Sequence, residues 1–329
     1  MSKMKAYTNP KYGSPDVMEI QELPLPEPKD KEVRVRVKAI SLNPAESHLM
    51  RGSIWIIRLS HGLRKPKKPV LPADLAGVVD AVGKEVNGLK VGDRVMGRAA
   101  EGGMAAFACL KTEHCTRLPE SISFEEGAAL PLASLTALVA LRKGKANKGQ
   151  KVLIIGASGG IGTIAVQLAK YMGLEVSGVC SSGNADLVLS LGADRVIAYD
   201  KEDFSKSEEK YDLILDLIGS NGFAALNKVL APMGRCVMVG FTNFSKMAAY
   251  LFRGGLASLF SRKSFITMDA KIKPEDLDYV LNLVEKGNIR PVIDRNYPFV
   301  ELPAAFTYLA SKRAKGKIVV KVEAGTTNS

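Results

Sequence analysis

Residues Val33 to Lys38 alternate apolar and basic side chains. That period of two predicts a strand with one buried face. Val78 to Val82 and Val91 to Met96 read as further short strands, with Gly83, Gly88 and Gly92 as turns between them. Pro24, Pro26 and Pro28 mark an extended connection rather than a helix. From about Ser121 the pattern changes. Lys151 to Ile155 is an apolar run, as expected of a strand covered on both faces. A glycine cluster and a helical stretch from Ile161 to Met172 follow. The alternation then continues with strand Glu175–Cys180, helix Ala185–Leu191, strand Arg195–Tyr199, strand Tyr211–Leu217, helix Phe223–Leu230 and strand Arg235–Val239. Strands and helices alternating at these lengths predict a parallel, doubly wound α/β sheet. Beyond Gly240 the pattern is lost until helix Pro274–Lys286 and a last strand, Lys317–Val322. Ala324 to Ser329 read as a frayed tail.

The chain has 329 residues, enough for about two domains. Its 46% hydrophobic and 24% charged residues suit a globular protein and not a disordered one. No apolar run reaches the ~18 residues of a membrane span, and Met1 to Glu22 lacks the apolar core of a signal peptide. Cys109, Cys115, Cys180 and Cys236 form no C-x-x-C pair, which points to a reducing, cytoplasmic setting. The net charge of +12 favours anionic partners without choosing among them.

Gly156, Gly159 and Gly162 lie between a buried strand and a helix. Such a turn lets the backbone approach a pyrophosphate, and the helix N-terminus supplies free N–H donors and the positive end of a dipole. At the first strand of a βαβ series it predicts a dinucleotide site. Gly156 to Gly160 also satisfies G-x-S-x-G around Ser158. That hydrolase motif needs a histidine later in the chain, and none follows His114. A P-loop fails too, because Gly162 is followed by Thr163 and not by lysine. NAD sites carry an acidic residue about 20 positions past the turn. Here the second strand ends in Cys180-Ser181-Ser182-Gly183-Asn184. Two hydroxyls and no carboxylate favour NADP(H) over NAD, unless Ser181 and Ser182 serve only to cap the next helix.

Several motifs carry a resemblance: Ser41-Leu-Asn43-Pro44, Ala73-Asp74-Leu-Ala-Gly77, Val91-Gly-Asp-Arg-Val95, Ala128-Ala-Leu-Pro131, Leu135-Thr136-Ala137, the glycine turn, Leu191-Gly-Ala-Asp194 with Tyr199, and Gly316-Lys317-Ile-Val-Val320. With them the chain resembles the medium-chain dehydrogenase/reductase superfamily, in its zinc-independent quinone oxidoreductase (zeta-crystallin-like) branch. The resemblance implies a GroES-like β-barrel domain over residues 1–121 and 268–329, and a Rossmann domain over 122–267, with the active site in the cleft. It implies Asn43 and Thr136 by the nicotinamide end, with Gly240 flanking it. Ser158, Gly159, Gly160 and Ile161 would surround the pyrophosphate. Ser181 and Tyr199 would approach the adenosine 2′-phosphate, and Lys317 the phosphate side of the cofactor. Close relatives often carry Lys or Arg where Gly183 stands. The family's Asn-Pro-x-Asp appears as Asn43-Pro44-Ala45-Glu46, and His48 replaces an aromatic residue.

The superfamily's catalytic zinc takes Cys, His and Cys ligands. The aligned positions are Asn43, Ala73 and Leu132, so no metal is expected, and His114-Cys115 alone cannot complete a tetrahedral site. Without a Lewis acid, good acceptors are those that delocalise the incoming charge, namely quinones and α,β-unsaturated carbonyls. Hydride transfer from NADPH to such a small molecule is therefore the expected activity. Enoyl-thioester or ketone reduction shares the same frame. His48 has the pKa range of a proton donor or hydrogen-bonding group for a developing oxyanion, and equally of a structural histidine. Glu46 is expected to orient its neighbours rather than act as an acid. Ser53 to His61, with Trp55, and Met247 to Phe265, with Tyr250, Phe252 and Phe260, are candidate pocket walls, packing segments or a subunit interface. A homodimer is expected from the resemblance only.

Arg64 to Lys68 and Lys312 to Lys317 are the densest basic runs, and neither contains an aromatic residue. No nucleic-acid partner and no stable membrane insertion are expected. The competing class is a protein that binds NADPH without turnover and uses these runs to contact RNA or lipid.

Overall fold

The computed structural model describes residues 2–53, 55–240, 244–268 and 274–323, without the side chains of residues 55–57, 244–247, 257, 260 and 274. The expected tail from Ala324 and the side chains of Trp55, Met247 and Phe260 lie outside the described residues. The chain divides into two compact units. One is Met1–Leu132 with Ile272–Glu285 and Ile293–Ser329, and the other is Ala133–Lys271 with Lys286–Val292.

In chain order the first unit contains β1 (Lys3–Thr8), β2 (Glu19–Pro24), β3 (Glu32–Leu42), α1 (Pro44–Arg51), α2 (Trp55–His61), β4 (Ala73–Val82), β5 (Arg94–Ala99), β6 (Phe107–Lys111), β7 (Cys115–Arg117) and α3 (Phe124–Ala129). Helix α4 (Pro131–Lys143) crosses the division. The second unit continues with β8 (Lys151–Ile155), α5 (Gly160–Tyr171), β9 (Glu175–Cys180), α6 (Ala185–Ser190), β10 (Arg195–Ala198), β11 (Tyr211–Asp216), α7 (Phe223–Val229), β12 (Leu230–Met238), α8 (Phe244–Phe260) and β13 (Ser264–Thr267). The chain closes with α9 (Pro274–Glu285), β14 (Ile293–Pro298), α10 (Leu302–Ala310) and β15 (Lys317–Lys321).

The first unit is built on a sheet ordered β14-β15-β3-β4-β5-β7, with β6 also paired to β3. The alternation read from the sequence holds at its centre, where Val33, Val35 and Val37 are buried. Burying side chains such as Ile40 and Leu75 stabilises the unit by about 1.5–3 kcal/mol each. Helix α3 packs on β3, β4, β5 and β15. This packing draws the chain as far as Leu132 into the first unit, past the boundary at 121 that the sequence suggests.

The second unit is a six-stranded sheet ordered β10-β9-β8-β11-β12-β13, parallel at every pairing. The order reverses between β8 and β11, and ligands bind open α/β sheets at the carboxyl ends of strands beside such a switch point. The sixth strand and α8 fall in the segment read from sequence as a candidate pocket wall. Within it, Tyr250 is 2% exposed, and its hydroxyl donates to the Cys236 carbonyl at 2.9 Å, so it is a core residue. Phe252 is 71% exposed.

Candidate functional site

In the second unit the turn after β8 is held against β9, because the N–H groups of Gly156 and Ala157 both donate to the Val179 carbonyl at 3.0 Å. Gly156 has φ 89°, a conformation that glycine adopts without strain. A Cβ on Gly162 would stand 2.1 Å from the Gly156 carbonyl oxygen, so the turn closes on the helix only with glycine there. Gly159 caps α5, whose first N–H groups have no carbonyl within the helix to bond. The Ser158 hydroxyl accepts from Asn184 Nδ2 at 3.0 Å. A Cβ on Gly156 would meet Ile218, which brings the turn after β8 against the loop after β11. Asp216, buried at the end of β11, shapes that loop by accepting the N–H groups of Ile218 at 3.2 Å and Gly219 at 2.8 Å. Gly240, after β12, approaches the Leu217 carbonyl so closely that a Cβ would lie 2.4 Å from its oxygen. Thr136 is buried on α4. These crowded, Cβ-free positions at the switch point fit a dinucleotide.

The far end of the turn differs from expectation. Parallel pairing of β9 and β10 sets Ala198 beside Cys180 and so brings the residues after both strands together. Ser182 gives its N–H and its hydroxyl to the Asp200 carboxylate, at 2.8 Å and 2.5 Å. These bonds, the hydroxyl's first, lower the Asp200 pKa. A carboxylate is therefore present after all, supplied by the next strand, and it engages one of the two hydroxyls assigned to a 2′-phosphate. Ser181 makes no side-chain capping bond, and Tyr199 is 66% exposed. A side chain at Gly183 would meet no atom within 4 Å.

The first unit holds a cluster that the sequence only partly disclosed. Asn43-Pro44-x-Glu46 starts α1, and the Glu46 carboxylate accepts the Asn43 backbone N–H at 2.7 Å. The Asn43 side chain faces the Glu46 backbone N–H in a capping box. Its Nδ2 donates to Asp74 at 3.0 Å, and its Oδ1 accepts from the Lys317 ammonium. Lys317 also donates to the Leu42 carbonyl at 3.1 Å. Arg98 donates to Asp74 at 2.8 Å and to Glu46 at 2.7 Å. Sheet register explains the meeting. Ile318 pairs with Leu42, Ser41 with Asp74, and Asp74 with Arg98, so β15, the end of β3, β4 and β5 place these groups side by side.

Glu46 and Asp74 are fully buried, Lys317 is 4% exposed and Asn43 5%. Burial raises the Glu46 pKa, against the pull of Arg98. Burial opposes the charge on Arg98, but Asp74 and Glu46 outweigh it and raise its pKa. Burial lowers the Lys317 pKa, with Asp74 and Glu46 acting to keep its proton. His48, farther along α1, lies 3.2 Å from the Ser53 hydroxyl through Nδ1. Burial first, then Arg51 and Lys312, lower its pKa below 6.5, so the imidazole is neutral near pH 7.

The three positions aligned with zinc ligands converge on this cluster. Asn43 and the Leu132 N–H, at 3.2 Å, both donate to the Asp74 carboxylate next to Ala73. The donor set does not fit zinc: the amide is engaged on both sides, alanine and leucine offer no ligand atom, and an ammonium stands beside them. Among the described residues no three His, Cys, Asp or Glu side chains are grouped to hold a metal. The Cys115 thiol, once paired with His114 as a candidate, is buried and pushed up to about 12, far from a thiolate.

Comparison with known proteins places this geometry. Residues 29–129 match the alcohol dehydrogenase GroES-like domain, and residues 191–320 match the zinc-binding dehydrogenase family. The chain is 32% identical to the chloroplast envelope quinone oxidoreductase homolog of Arabidopsis thaliana, over 86% of this chain and 88% of that one. It is 30% identical to the NADPH-dependent alkenal/one oxidoreductase of the same plant's chloroplast, over 97% of this chain and 79% of that one. The solved quinone oxidoreductase from Coxiella burnetii superposes with a TM-score of 0.87, at 29% identity, covering 98% of this chain and all of that one. With a GroES-like unit, a Rossmann sheet and relatives aligned along nearly its whole length, the chain belongs to the medium-chain dehydrogenase/reductase superfamily.

Proposed function

We propose that this protein transfers hydride from NADPH to a quinone or an α,β-unsaturated carbonyl compound without a metal. The observation that carries the reading is the Gly156–Gly162 turn, so tight that a Cβ at Gly162 has no room, at the head of α5 and at the switch point of the sheet. A diphosphate there meets helix N–H donors at Ser158, Gly159, Gly160 and Ile161. Relatives named for quinone and alkenal reduction support the acceptor class.

A bound reduced pyridine nucleotide supplies the hydride. Thr136 and Gly240 take its nicotinamide end, and Asn43 meets the reacting atoms. Ser181 and Tyr199 take the adenosine 2′-phosphate, while Ser182 is engaged by Asp200. His48, neutral near pH 7, acts as a hydrogen-bonding group and not as an imidazolium acid. The donor set at Asn43, Ala73 and Leu132 supports a metal-free reaction. The four cysteines are unpaired, which supports a cytoplasmic setting, and no helix among the described residues is long and apolar enough to cross a membrane. A homodimer completes the proposal.

Mixing the protein with NADPH and a panel of quinones and enals, and following nicotinamide absorbance, tests it. Acceptor-dependent oxidation is expected, together with tighter binding of NADPH than of NADH in paired titrations. Saturable NADPH binding with no turnover on any acceptor would instead identify a binding protein.

A further inference from the structure

We propose that Lys317 is a positioning residue that orients and polarises the Asn43 amide, so that the second amide N–H is presented as a donor to the acceptor oxygen on which charge develops. The inference rests on the reading above, in which Asn43 meets the reacting atoms.

The orientation of most asparagine amides follows from weak preferences. Here it is forced by chemistry. An ammonium can only donate, so the atom facing Lys317 is Oδ1. On its other side the amide donates to Asp74, so the atom facing that carboxyl oxygen is Nδ2. One N–H remains, and it has no partner among the described residues. Asn43 is 5% exposed. It is therefore a donor with no competing acceptor oxygen. The ammonium on Oδ1 also draws density from the amide and strengthens that N–H, as hydrogen bonds in a chain reinforce one another.

The surrounding charges fit this purpose better than they fit stability. Lys317 and Arg98 face Asp74 and Glu46; Glu46, Asp74 and Lys317 are buried, and the Arg98 side chain is 15% exposed. Such a set is often no more stabilising than apolar side chains of the same volume. It does, however, hold the amide of Asn43, the residue aligned with a zinc ligand, between two hydrogen-bonding partners of opposite kind.

The chemistry balances without a further reactant. Hydride forms the new C–H bond at the acceptor carbon while the nucleotide is oxidised. The π pair moves to the carbonyl oxygen, giving an enolate held by the Asn43 N–H, which for a quinone tautomerises to the hydroquinone anion by moving the ring C–H proton to oxygen through water. Solvent water then supplies the proton. Removing a donor of this kind typically costs 10²–10³ in rate, and weakening one costs less.

The test uses Lys317→Met, which removes the ammonium, and Lys317→Gln, which keeps a donor to Oδ1 but not the charge. The second variant remains informative if the first fails to fold. Asn43→Leu is the reference. Kinetics with a quinone are read beside a signal that needs no turnover, the ionisation of bound 4-nitrophenol followed by its absorbance. Wild type is expected to lower the apparent pKa of the bound phenol. Lys317→Met should lose most of that shift and about tenfold or more in kcat, with Lys317→Gln between the two. Unchanged kcat and unchanged phenol ionisation in both variants, with Asn43→Leu impaired, would overturn the role of Lys317. Absence of NADPH binding by wild type, read from nicotinamide fluorescence, would overturn the underlying functional reading and the inference with it.

Discussion

Asn43 caps the short helix that carries His48, but the two differ in what surrounds them. Asn43 is fixed by charges of both signs, whereas His48 is approached by Arg51 and Lys312, which together with burial lower its pKa. A histidine already neutral near pH 7 gives no ionisation limb there. His48→Gln should change kcat/KM by less than about threefold and leave the profile unaltered from about pH 7 to 8. A lost limb in that range would restore His48 as the acid. Lys317 gives the opposite expectation. Burial lowers its pKa from 10.5, with Asp74 and Glu46 raising it, Arg98 lowering it and Asn43 in contact. As pH rises through that lowered value the ammonium is lost and the amide is no longer polarised. The kcat profile should therefore fall on the alkaline side before 10.5, and Lys317→Gln should lack that fall. A wild-type profile identical to that of Lys317→Gln would contradict it.

The glycine turn is where one missing methyl group decides an element. In Gly162→Ala the new Cβ would press on the Gly156 carbonyl at 2.1 Å, forcing α5 away from the end of β8. Overpacking of this kind destabilises by about 1–3 kcal/mol. The displaced helix N-terminus should cost at least about tenfold in NADPH affinity, measured by fluorescence titration beside thermal unfolding. This strand–turn–helix was legible in the sequence because apolar runs, glycine spacing and helix periodicity agree there. Other elements were not. The segment containing α8 and β13 shows only an apolar, aromatic run, which fits a core helix and strand as well as a pocket wall. Tyr250 turned out to be core. Asp74 and Arg98 sit in strands where a charge reads as solvent-facing, and only the register of β3, β4 and β5 reveals them as buried partners of Asn43. Asp200 was hidden for a similar reason. It follows a different strand from Ser182 and reaches it only through parallel pairing.

For the molecule as a whole, the surplus of basic residues is less available than the composition implies. Lys317, counted in the second basic run, is buried, and Lys68 of the first run pairs with Glu101. The remaining positive charge is suited to attracting a phosphorylated cofactor. Binding that cofactor only in the folded state should raise stability by about 2.7 kcal/mol at a concentration 100 times Kd, seen as a higher Tm. An unchanged Tm with NADPH in that excess would contradict a folded dinucleotide site. One unit carries the phosphate-binding turn, the other carries the charged Asn43 cluster, and the activity proposed for the chain is hydride transfer. Its most direct measurement is isotope transfer. An enal is incubated with the protein and NADPH carrying two deuterium atoms at C4 of the nicotinamide, and the product is analysed by mass spectrometry and NMR. The account predicts deuterium on the β-carbon of the saturated product. Label that stays wholly on the nucleotide, with enals and quinones alike, would contradict it.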